Sequence, residues 1–260
     1  MLQSAPEAWS DSIMRLNVYI SSTGLCSRRE ADRLILEGKV RVNGKVAALG
    51  TQAEQGDVVE VEGKVLRKKV PSVYIALNKP VGITCTTERH IKGNIIDFVN
   101  HPHRIFPVGR LDKDSEGLII LTNDGGIVNE ILREENDHEK EYLVQVDKPV
   151  TPEFVKAMSN GVRIYNPVKR QHTKTKPCKV VRVSEYGFRI VLSQGLNRQI
   201  RRMCEALGYE VVKLKRTRIM DLRLGDLKSG HWRPLSKEEV AGLRYNPIEE
   251  KGRSKGGAKK

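Results

Sequence analysis

Hydrophobic and polar positions follow a helical spacing in one early segment of the chain. Ser27 is followed three residues later by Glu30, a capping-box pattern that predicts the first turn of a helix. The apolar residues of this helix fall on one face: Ala31, Leu34 and Ile35. Gly38 follows soon after, at the kind of position where glycine commonly ends a helix.

The pattern then changes from helical spacing to alternation. Residues 39–42 alternate between basic and apolar, and Asn43-Gly44 follows, which is a strong signal for a two-residue β-hairpin. A second alternating strand is predicted over residues 58–61. The sequence therefore predicts a small helix-then-hairpin module over residues 15–65.

Beyond this module, short apolar runs alternate with helical stretches. Four runs predict strands of a larger sheet: 74–77, 118–121, 142–146 and 188–192. Residues 152–158 predict a helix between them, so residues 73–246 are expected to form an α+β domain. Residues 66–72 are basic and contain a proline, as is typical of a linker. Residues 1–14 are expected to be an N-terminal tail, and the Gly- and Lys-rich residues 247–260 a disordered basic tail.

Net charge narrows the class of partner. The 260 residues contain 46 Lys and Arg against 32 Asp and Glu, which gives a formal net charge of +14. Such a charge favours a polyanionic partner, either nucleic acid or an acidic membrane surface. No apolar segment approaches the length of a membrane span, and residues 1–14 lack the basic and apolar regions of a signal peptide. Nucleic acid is therefore the expected partner, no membrane association is expected, and the protein is expected to be cytoplasmic.

The residues that usually hold metals and nucleotide cofactors are scattered. The four cysteines lie far apart and form no Cys-x-x-Cys pair, which is typical of reduced, structural thiols: Cys26, Cys85, Cys178 and Cys204. His101 and His103 flank a proline and His138 lies in an acidic stretch, so loop or surface roles are expected for them. Neither a glycine-rich dinucleotide motif nor a Walker motif is found. The sequence thus predicts no metal and no cofactor.

One carboxylate stands among cations shortly before an apolar run. Asp112 is flanked by Arg110 and Lys113, and residues 118–121 follow. Neighbouring cations favour the ionised form of a carboxyl group, which a nucleophilic aspartate requires. An Asp beside an Arg is nevertheless more often a loop or surface ion pair, so these neighbours alone leave both roles open.

The wider motif gives this aspartate a context. Gly-Arg-Leu-Asp at residues 109–112, with Gly-Leu at 117–118, resembles the catalytic motif of the pseudouridine synthases of the RsuA/RluA type. The resemblance implies that Asp112 is the essential nucleophile. It also implies that Arg110 binds the substrate, by filling the position vacated by a flipped base or by holding the flipped strand.

Two further segments match motifs of the same family. A lone strand tyrosine is more often a half-buried packing residue, but the Lys-x-Tyr pattern of Lys140 and Tyr142 resembles the motif whose tyrosine lies against the target base. The resemblance implies that Tyr142 is a catalytic residue that stacks on the uracil. It also places the Asn-Lys-Pro turn at residues 78–80 near the cleft, with Lys79 as a phosphate contact. The turn itself requires only its proline and a following glycine.

Residues 194–203 complete the set of motifs. Asn197 is expected to cap a helix that Gly208 ends. The inward stripe of this helix has three members: Ile200, Met203 and Leu207. Its arginines alone would also fit a phosphate-binding surface. The Gln-Ile-Arg pattern of the family falls on Arg201, and the resemblance implies that this catalytic arginine pairs with Asp112 and keeps it ionised. The two other arginines are expected to bind the substrate: Arg198 and Arg202.

The N-terminal module matches a second family. Its order of residues, including Ser-Arg-Arg-Glu-Ala at 27–31 and Val-Asn-Gly at 42–44, resembles the S4 RNA-binding domain. A basic helix face is usually only solvated, but the resemblance implies that this face presents cations to structured RNA. The expected RNA-binding residues are four cations: Arg28, Arg29, Arg33 and Lys39.

Together the motifs imply a fold and a reaction. The expected fold class is α+β: an N-terminal S4 domain of helices and a hairpin, then a pseudouridine synthase catalytic domain with a mainly antiparallel mixed sheet flanked by helices. The expected reaction breaks the C1′–N1 bond of a flipped uridine, rotates the uracil, and bonds C5 to C1′. Residues 136–144 most resemble RluF-type members, which act on 23S ribosomal RNA. Transfer RNA is a further candidate substrate, and a monomer is expected.

Two other classes stay open at this level. The first alternative is an inactive S4-type RNA-binding or ribosome-assembly factor. The complete set of Asp112, Tyr142 and Arg201 argues against this alternative. A glycosidase-type hydrolase would need two carboxylates about 5 to 9.5 Å apart around the sugar. The local candidates for such a pair are Asp112 with Asp114 or Glu116.

Overall fold

The computed structural model describes residues 13–66, 70–132, 137–168 and 170–244. The chain divides into two compact units, with the boundary between Ser72 and Val73. The predicted C-terminal tail, almost all of the predicted N-terminal tail and the centre of the predicted linker lie outside the described residues. None of the helices in the described ranges has the length and hydropathy that crossing a bilayer requires.

The described residues of the first unit form two helices and six short strands. The helices are α1 Leu16–Ser22 and α2 Arg28–Leu36. The strands are β1 Met14–Arg15, β2 Val40–Val42, β3 Lys45–Val46, β4 Gln52–Ala53, β5 Val59–Val61 and β6 Lys64–Val65. β1 pairs with β4, and the others form an antiparallel sheet in the order β3-β2-β5-β6. The predicted helix and hairpin are confirmed.

Local signals explain how α2 and the hairpin form. The Ser27 side chain accepts a hydrogen bond from the Glu30 backbone N–H at 3.1 Å, as the capping-box pattern predicted. Gly38 has a φ of +69° just past the helix. Asn43 and Gly44 take φ values of +50° and +78°, as a two-residue turn between antiparallel strands requires.

The apolar face of α2 packs into the core of this unit. Ala31, Leu34 and Ile35 are buried together with residues of α1, β2 and β5. Burying each large aliphatic side chain stabilises the fold by about 1.5–3 kcal/mol. The basic residues of α2 are left at the surface, because the apolar face alone supplies the packing.

The second unit contains five helices and eleven strands in its described residues. The helices are α3 Ile95–Val99, α4 Gly125–Leu132, α5 Pro152–Ser159, α6 Gln199–Ala206 and α7 Lys237–Arg244. The strands before α5 are β7 Tyr74–Lys79, β8 Phe106–Val108, β9 Glu116–Thr122 and β10 Lys140–Val146. The strands after α5 are β11 Arg163–Asn166, β12 Gln171–Lys174, β13 Lys179–Ser184, β14 Gly187–Leu192, β15 Val211–Ile219, β16 Leu222–Arg223 and β17 Trp232–Pro234.

Nine of these strands form one sheet, whose main path runs β13-β14-β10-β15-β9-β7-β17. β8 and β16 attach to β9 and β15, while β11 and β12 form a separate hairpin. The strands pair antiparallel, except that β15 and β9 run parallel. The expected mainly antiparallel mixed sheet flanked by helices is therefore confirmed.

The central strand β9 is covered on both faces. Leu118 and Ile120 belong to a core cluster with residues of α4 and α7, whereas Ile119 and Leu121 belong to a cluster with residues of α3. This is why the strand reads as a continuous apolar run and not as an alternation of apolar and polar residues. The loop that carries the predicted catalytic motif leads directly into this rigid strand.

One glycine permits the parallel contact between β9 and β15. Gly117 has a φ of +110°, and a Cβ built on it would lie 2.3 Å from the Arg216 carbonyl oxygen. No side chain fits at that distance, so this position needs glycine. The close approach brings β15 beside the start of β9.

Candidate active site

A cleft of about 510 Å³ lies in the second unit, between the loop before β9, the strands β10 and β15, and the start of α6. Asp112 and Tyr142, the predicted nucleophile and stacking residue, both line it. Two other predicted residues also line it: Arg110 and Arg198. Three predicted residues of this unit do not: Lys79, Arg201 and Arg202.

The loop that carries Asp112 is fastened by its own backbone. Leu111 is buried, and its N–H donates to the Cys85 sulfur at 3.4 Å. The Ser115 N–H donates to the Asp112 carbonyl at 3.1 Å, which closes a turn. The Asp112 side chain nevertheless keeps 32% of its surface exposed. A rigid loop therefore presents an accessible carboxylate to the cleft.

Among the described residues, the ion pair on Asp112 comes from Arg198, and the pairing with Arg201 that the resemblance implied is not found. Arg198 Nη1 lies 3.4 Å from Asp112 Oδ2, and the same guanidinium donates to both Asp114 carboxylate oxygens, at 3.1 and 2.9 Å. Arg201 Nη2 lies 3.3 Å from Asp114 Oδ2 and donates to the Asp114 carbonyl at 3.0 Å. Arg201 Nη1 donates to the Val211 carbonyl at 3.0 Å.

The start of α6 explains this exchange of partners. The predicted cap, Asn197, is wrong by one residue: the N-cap is Arg198, in a left-handed conformation with φ 49° and ψ 36° and without a side-chain cap. Arg198 thus stands ahead of the first turn, where it reaches both carboxylates. Arg201 lies within that turn, and main-chain carbonyls already hold its guanidinium. The predicted inward stripe is confirmed at Ile200 and Met203, which are buried.

The two arginines act together on Asp114. Hydrogen bonds from Arg198 are the largest cause that lowers the pKa of the Asp114 carboxyl, and the charge of Arg201 lowers it further, while partial burial opposes both. Asp114 is therefore ionised at neutral pH. It serves as the link between α6 and the loop that carries Asp112.

Tyr142 lies on β10 at the floor of the cleft. It is partly buried and packs against the core clusters on both sides of it. Its position in the sheet is directly opposite Arg216 on β15 and Ile190 on β14. In the part of the chain that the structure describes, its hydroxyl makes no hydrogen bond. The ring is thus held firmly while the hydroxyl stays available to a ligand.

The phosphate contact predicted for Lys79 is wrong in this structure. Its side chain is 0% exposed, and Nζ donates to the carbonyls of Pro80 and Ile83 at 2.8 and 2.9 Å. Burial is the main cause that lowers its pKa. The lysine instead folds the 80–83 turn, whose Gly82 N–H donates to the Lys113 carbonyl at 2.8 Å. It therefore supports the catalytic loop from behind.

Arg202 is also occupied by the protein. It donates to the carbonyls of Asn197 and Tyr165 at 3.1 and 3.2 Å, which ties the residues before α6 to β11. It braces the loop and does not reach the cleft, so its predicted substrate contact is not supported. Arg110, in contrast, is exposed at the cleft.

Two cations at the cleft were not predicted as site residues: Lys140 and Arg216 both line it. Arg216 is only 4% exposed, and its Nε donates to the Leu118 carbonyl at 2.7 Å. Lys140 Nζ donates to the His138 carbonyl at 3.2 Å, and burial, followed by the charge of Arg216, lowers its pKa. The sequence held one signal for Arg216, because it lies two residues after the inward-facing Leu214.

The four predicted RNA-binding cations of the first unit differ in their surroundings. Arg33 pairs with Glu30 and also with Glu37, and Lys39 pairs with Glu37 at 2.8 Å and with Glu62 at 3.3 Å. Two others are exposed and make no ion pair with described residues: Arg28 and Arg29. Of these four cations, the two at the start of α2 are therefore the least neutralised.

All four cysteines are buried or half-buried. Burial raises the pKa of Cys178 to about 11 and that of Cys204 to about 12, so both are protonated at neutral pH. Across the described ranges, no three His, Cys, Asp or Glu side chains come together in a group that could hold a metal ion.

Both units of the chain match known protein families. The family model described as RNA pseudouridylate synthase matches residues 73–206, and the S4 domain model matches residues 14–59. The dual-specificity RNA pseudouridine synthase RluF of Escherichia coli (strain K12) is 58% identical over 235 residues, which are 90% of this chain and 79% of that protein. The ribosomal large subunit pseudouridine synthase B of Bacillus subtilis is 37% identical, over 88% of this chain and 95% of that protein.

A solved structure extends the likeness to the backbone over most of the chain. A crystal structure of a pseudouridylate synthase matches with a TM-score of 0.65 and 31% identity, covering 88% of this chain and 99% of the other. Most of the residues that line the cleft lie within the range that the synthase family model matches. The chain belongs to the family of RNA pseudouridine synthases, isomerases that convert uridine in RNA to pseudouridine, and it carries an S4 RNA-binding domain ahead of its catalytic domain.

Proposed function

We propose that this enzyme modifies uridine in 23S ribosomal RNA, with transfer RNA as a second substrate, and that it acts in the cytoplasm as a monomer. Two relatives support an RNA target of this kind, since one is named for dual specificity and the other for the large ribosomal subunit. The net charge of +14 suits such a polyanion.

Asp112 carries the proposal, because it is an accessible carboxylate in a rigid loop, beside a cation and at the same cleft as Tyr142. In this mechanism Asp112 is the nucleophile, which attacks either the sugar C1′ or the base. Arg198, 3.4 Å away, orients its carboxylate. Arg201 is a positioning residue that acts through Asp114 and the backbone of the loop.

The bonds balance without a cofactor. When the C1′–N1 bond breaks, its electron pair stays with the uracil ring. The ring then rotates, C5 bonds to C1′, the bond that Asp112 had formed breaks and frees its carboxylate, the proton on C5 leaves, and N1 gains a proton. Tyr142 stacks on the uracil during this rotation, and its hydroxyl, which has no partner among the described residues, relays the C5 proton, accepting it while releasing its own proton to solvent.

The target must leave its helix before it can enter the cleft. Flipping costs roughly a few kcal/mol, which phosphate contacts can offset. Arg110 is exposed at the cleft, so it suits the role of filling the vacated position or of holding the flipped strand.

A glycosidase-type hydrolase has less support. Such an enzyme needs one protonated carboxyl group next to its nucleophile. Asp114 has a lowered pKa and is held by Arg198 and Arg201, and Glu116 pairs with Lys213 at 3.4 Å. Asp114 therefore offers no proton at neutral pH, and the Glu116 carboxylate is engaged by a lysine.

RNA labelled with tritium at C5 of uridine tests the proposal. The enzyme is incubated with 23S ribosomal RNA, with transfer RNA and with an unrelated structured RNA, and released tritium and mapped pseudouridines are compared. Release from 23S ribosomal RNA without free uracil is expected. Free uracil would mean hydrolysis, binding without release would mean an inactive binding factor, and release from transfer RNA alone would overturn the 23S assignment.

A further inference from the structure

Arg216 is a buried cation whose charge has no partner among the residues that the structure describes. It is 4% exposed, and within the described ranges no carboxylate lies within ion-pair distance of it. Of its donors, Nε binds the Leu118 carbonyl, while Nη2 is buried without any hydrogen-bond partner. Leaving a buried charged donor unsatisfied is costly, so such groups are normally paired. An acceptor is therefore expected from a ligand.

The surroundings of Arg216 hold it in one place. Its backbone lies against Gly117, where only a glycine fits, and its Nε is fixed by the Leu118 carbonyl at 2.7 Å. Both contacts belong to the start of β9, directly after the loop that carries Asp112. The guanidinium is thus preorganised at the wall of the same cleft.

A second cation strengthens the positive charge of this wall. Lys140 lines the cleft and lies two residues before Tyr142 on β10, hence on the same face of the sheet. The neighbouring acidic residues are occupied elsewhere, since Glu139 pairs with Arg218 at 2.9 Å and Glu141 accepts from the Thr217 hydroxyl at 2.8 Å. These two carboxylates therefore leave the positive charge of the wall unpaired.

The position of Arg216 in the sheet decides which hydrogen-bond acceptor of a flipped nucleotide can reach it. Arg216 and Tyr142 are paired residues on adjacent antiparallel strands, and such pairs have Cβ atoms about 4.5–5.5 Å apart. A phosphate stays with the strand at the mouth of the cleft, where the exposed Arg110 is. The group within reach of Arg216 is the base that Tyr142 holds.

We propose that Arg216, assisted by Lys140, binds a carbonyl oxygen of the target uracil, O2 or O4, and stabilises the negative charge that this oxygen gains when the C1′–N1 bond breaks. The inference rests on the proposed stacking of the uracil on Tyr142. Electrons from the broken bond stay on the uracil and spread to its carbonyl oxygens until C5 bonds to C1′. Arg216 is then a catalytic residue that acts where charge develops, as donors of an oxyanion hole do.

Arg216→Gln tests this role with natural RNA. Glutamine can still donate to the Leu118 carbonyl but removes the charge, so the fold is expected to persist. We expect kcat to fall by about 100- to 1000-fold, as when one oxyanion-hole donor is lost, with KM nearly unchanged. Arg223→Gln on β16, an exposed arginine outside the cleft, is the matched control and should keep wild-type turnover.

Substrates with 2-thiouridine or 4-thiouridine at the modified position identify the contact. Sulfur accepts hydrogen bonds poorly, so one of the two thio substrates should slow the wild type yet cost Arg216→Gln nothing further. Equal losses in both enzymes would overturn the proposal, as would a raised KM with unchanged kcat, which indicates a phosphate contact. If Arg216→Gln does not fold, Arg216→Lys is compared in the same series. Turnover of natural RNA by the wild-type enzyme tests the proposed substrate, and this test does not depend on the role of Arg216.

Discussion

Arg201 Nη2 lies 3.3 Å from the Asp114 carboxylate and donates to the carbonyl of the same residue at 3.0 Å. The arginine of the family motif therefore holds the residue two positions after the predicted nucleophile, while Arg198 reaches Asp112 itself. The two arginines thus have separable tasks. Arg198 acts on the carboxylate, and Arg201 acts on the shape of the loop.

This separation predicts different losses for the two alanine variants. Arg198→Ala removes partly exposed ion pairs, which contribute about 0–1 kcal/mol, so kcat should fall with little change in Tm. Arg201→Ala removes contacts of a side chain that is only 15% exposed and frees the Val211 carbonyl, which should cost about 1–3 kcal/mol of stability as well as activity. Turnover and thermal unfolding are measured for both variants. A destabilised Arg198→Ala with a normally stable Arg201→Ala would reverse the assignment.

Asp112→Asn should abolish turnover while the fold and the RNA affinity persist. Asparagine keeps the shape of the side chain and removes the nucleophilic charge, and the turn at the Asp112 carbonyl does not depend on the side chain. Tritium release and RNA binding are measured beside Asp221→Asn, an exposed aspartate outside the cleft that should behave as wild type. More than a few per cent of wild-type turnover in Asp112→Asn would remove Asp112 from the mechanism.

Elements with short-range signals could be predicted from the sequence. The Ser27 cap depends on a residue three positions away, and the turn at Asn43 and Gly44 depends on two positive φ values that these residue types tolerate. The apolar run in β9 was also predicted. Such features depend on neighbouring residues, so they can be predicted without any knowledge of the tertiary structure.

The arrangement of the site depends on contacts that the sequence does not contain. Arg198 adopts a left-handed conformation ahead of α6, and its side chain binds carboxylates that are distant in the sequence. Lys79 is buried because two carbonyls of its own turn satisfy its ammonium group, and a Lys-Pro pattern gives no sign of that. Arg216 stands in a strand with other basic residues, where its inward direction is hard to recognise.

Tyr142→Phe separates stacking from proton transfer. Phenylalanine keeps the ring, and the lost hydroxyl makes no hydrogen bond in the described structure, so stability and RNA binding should stay near wild type. Product formation should be blocked or very slow, because the C5 proton then lacks its acceptor. Tyr186→Phe, at an exposed tyrosine outside the cleft, controls for loss of a hydroxyl. Wild-type rates for Tyr142→Phe would confine the residue to packing or stacking.

Asp114 should make the stability of the enzyme sensitive to acid. Because its pKa is lowered in the folded protein, its contribution is fully present above its unfolded pKa and is lost as the pH falls through its folded pKa. The pair is about half exposed, so the effect should stay below about 1 kcal/mol. Thermal unfolding of wild type and Asp114→Asn is compared from neutral to strongly acidic pH. The difference in Tm should shrink towards acid, and a difference independent of pH would exclude this linkage.

The S4 domain should bind RNA mainly through the start of α2. Arg28 and Arg29 are exposed without ion pairs among the described residues, whereas Arg33 and Lys39 are paired with carboxylates. Replacing Arg28 and Arg29 with Gln should weaken binding and flatten its dependence on salt, since fewer counterions are released when fewer phosphates are contacted. The matched variant, in which Arg33 and Lys39 are replaced with Gln, should lose less RNA affinity.

Turnover at saturating RNA should change little in either double variant, because the lost contacts are shared by ground state and transition state. Equal affinities and equal salt slopes for the two double variants would contradict this role for the start of α2.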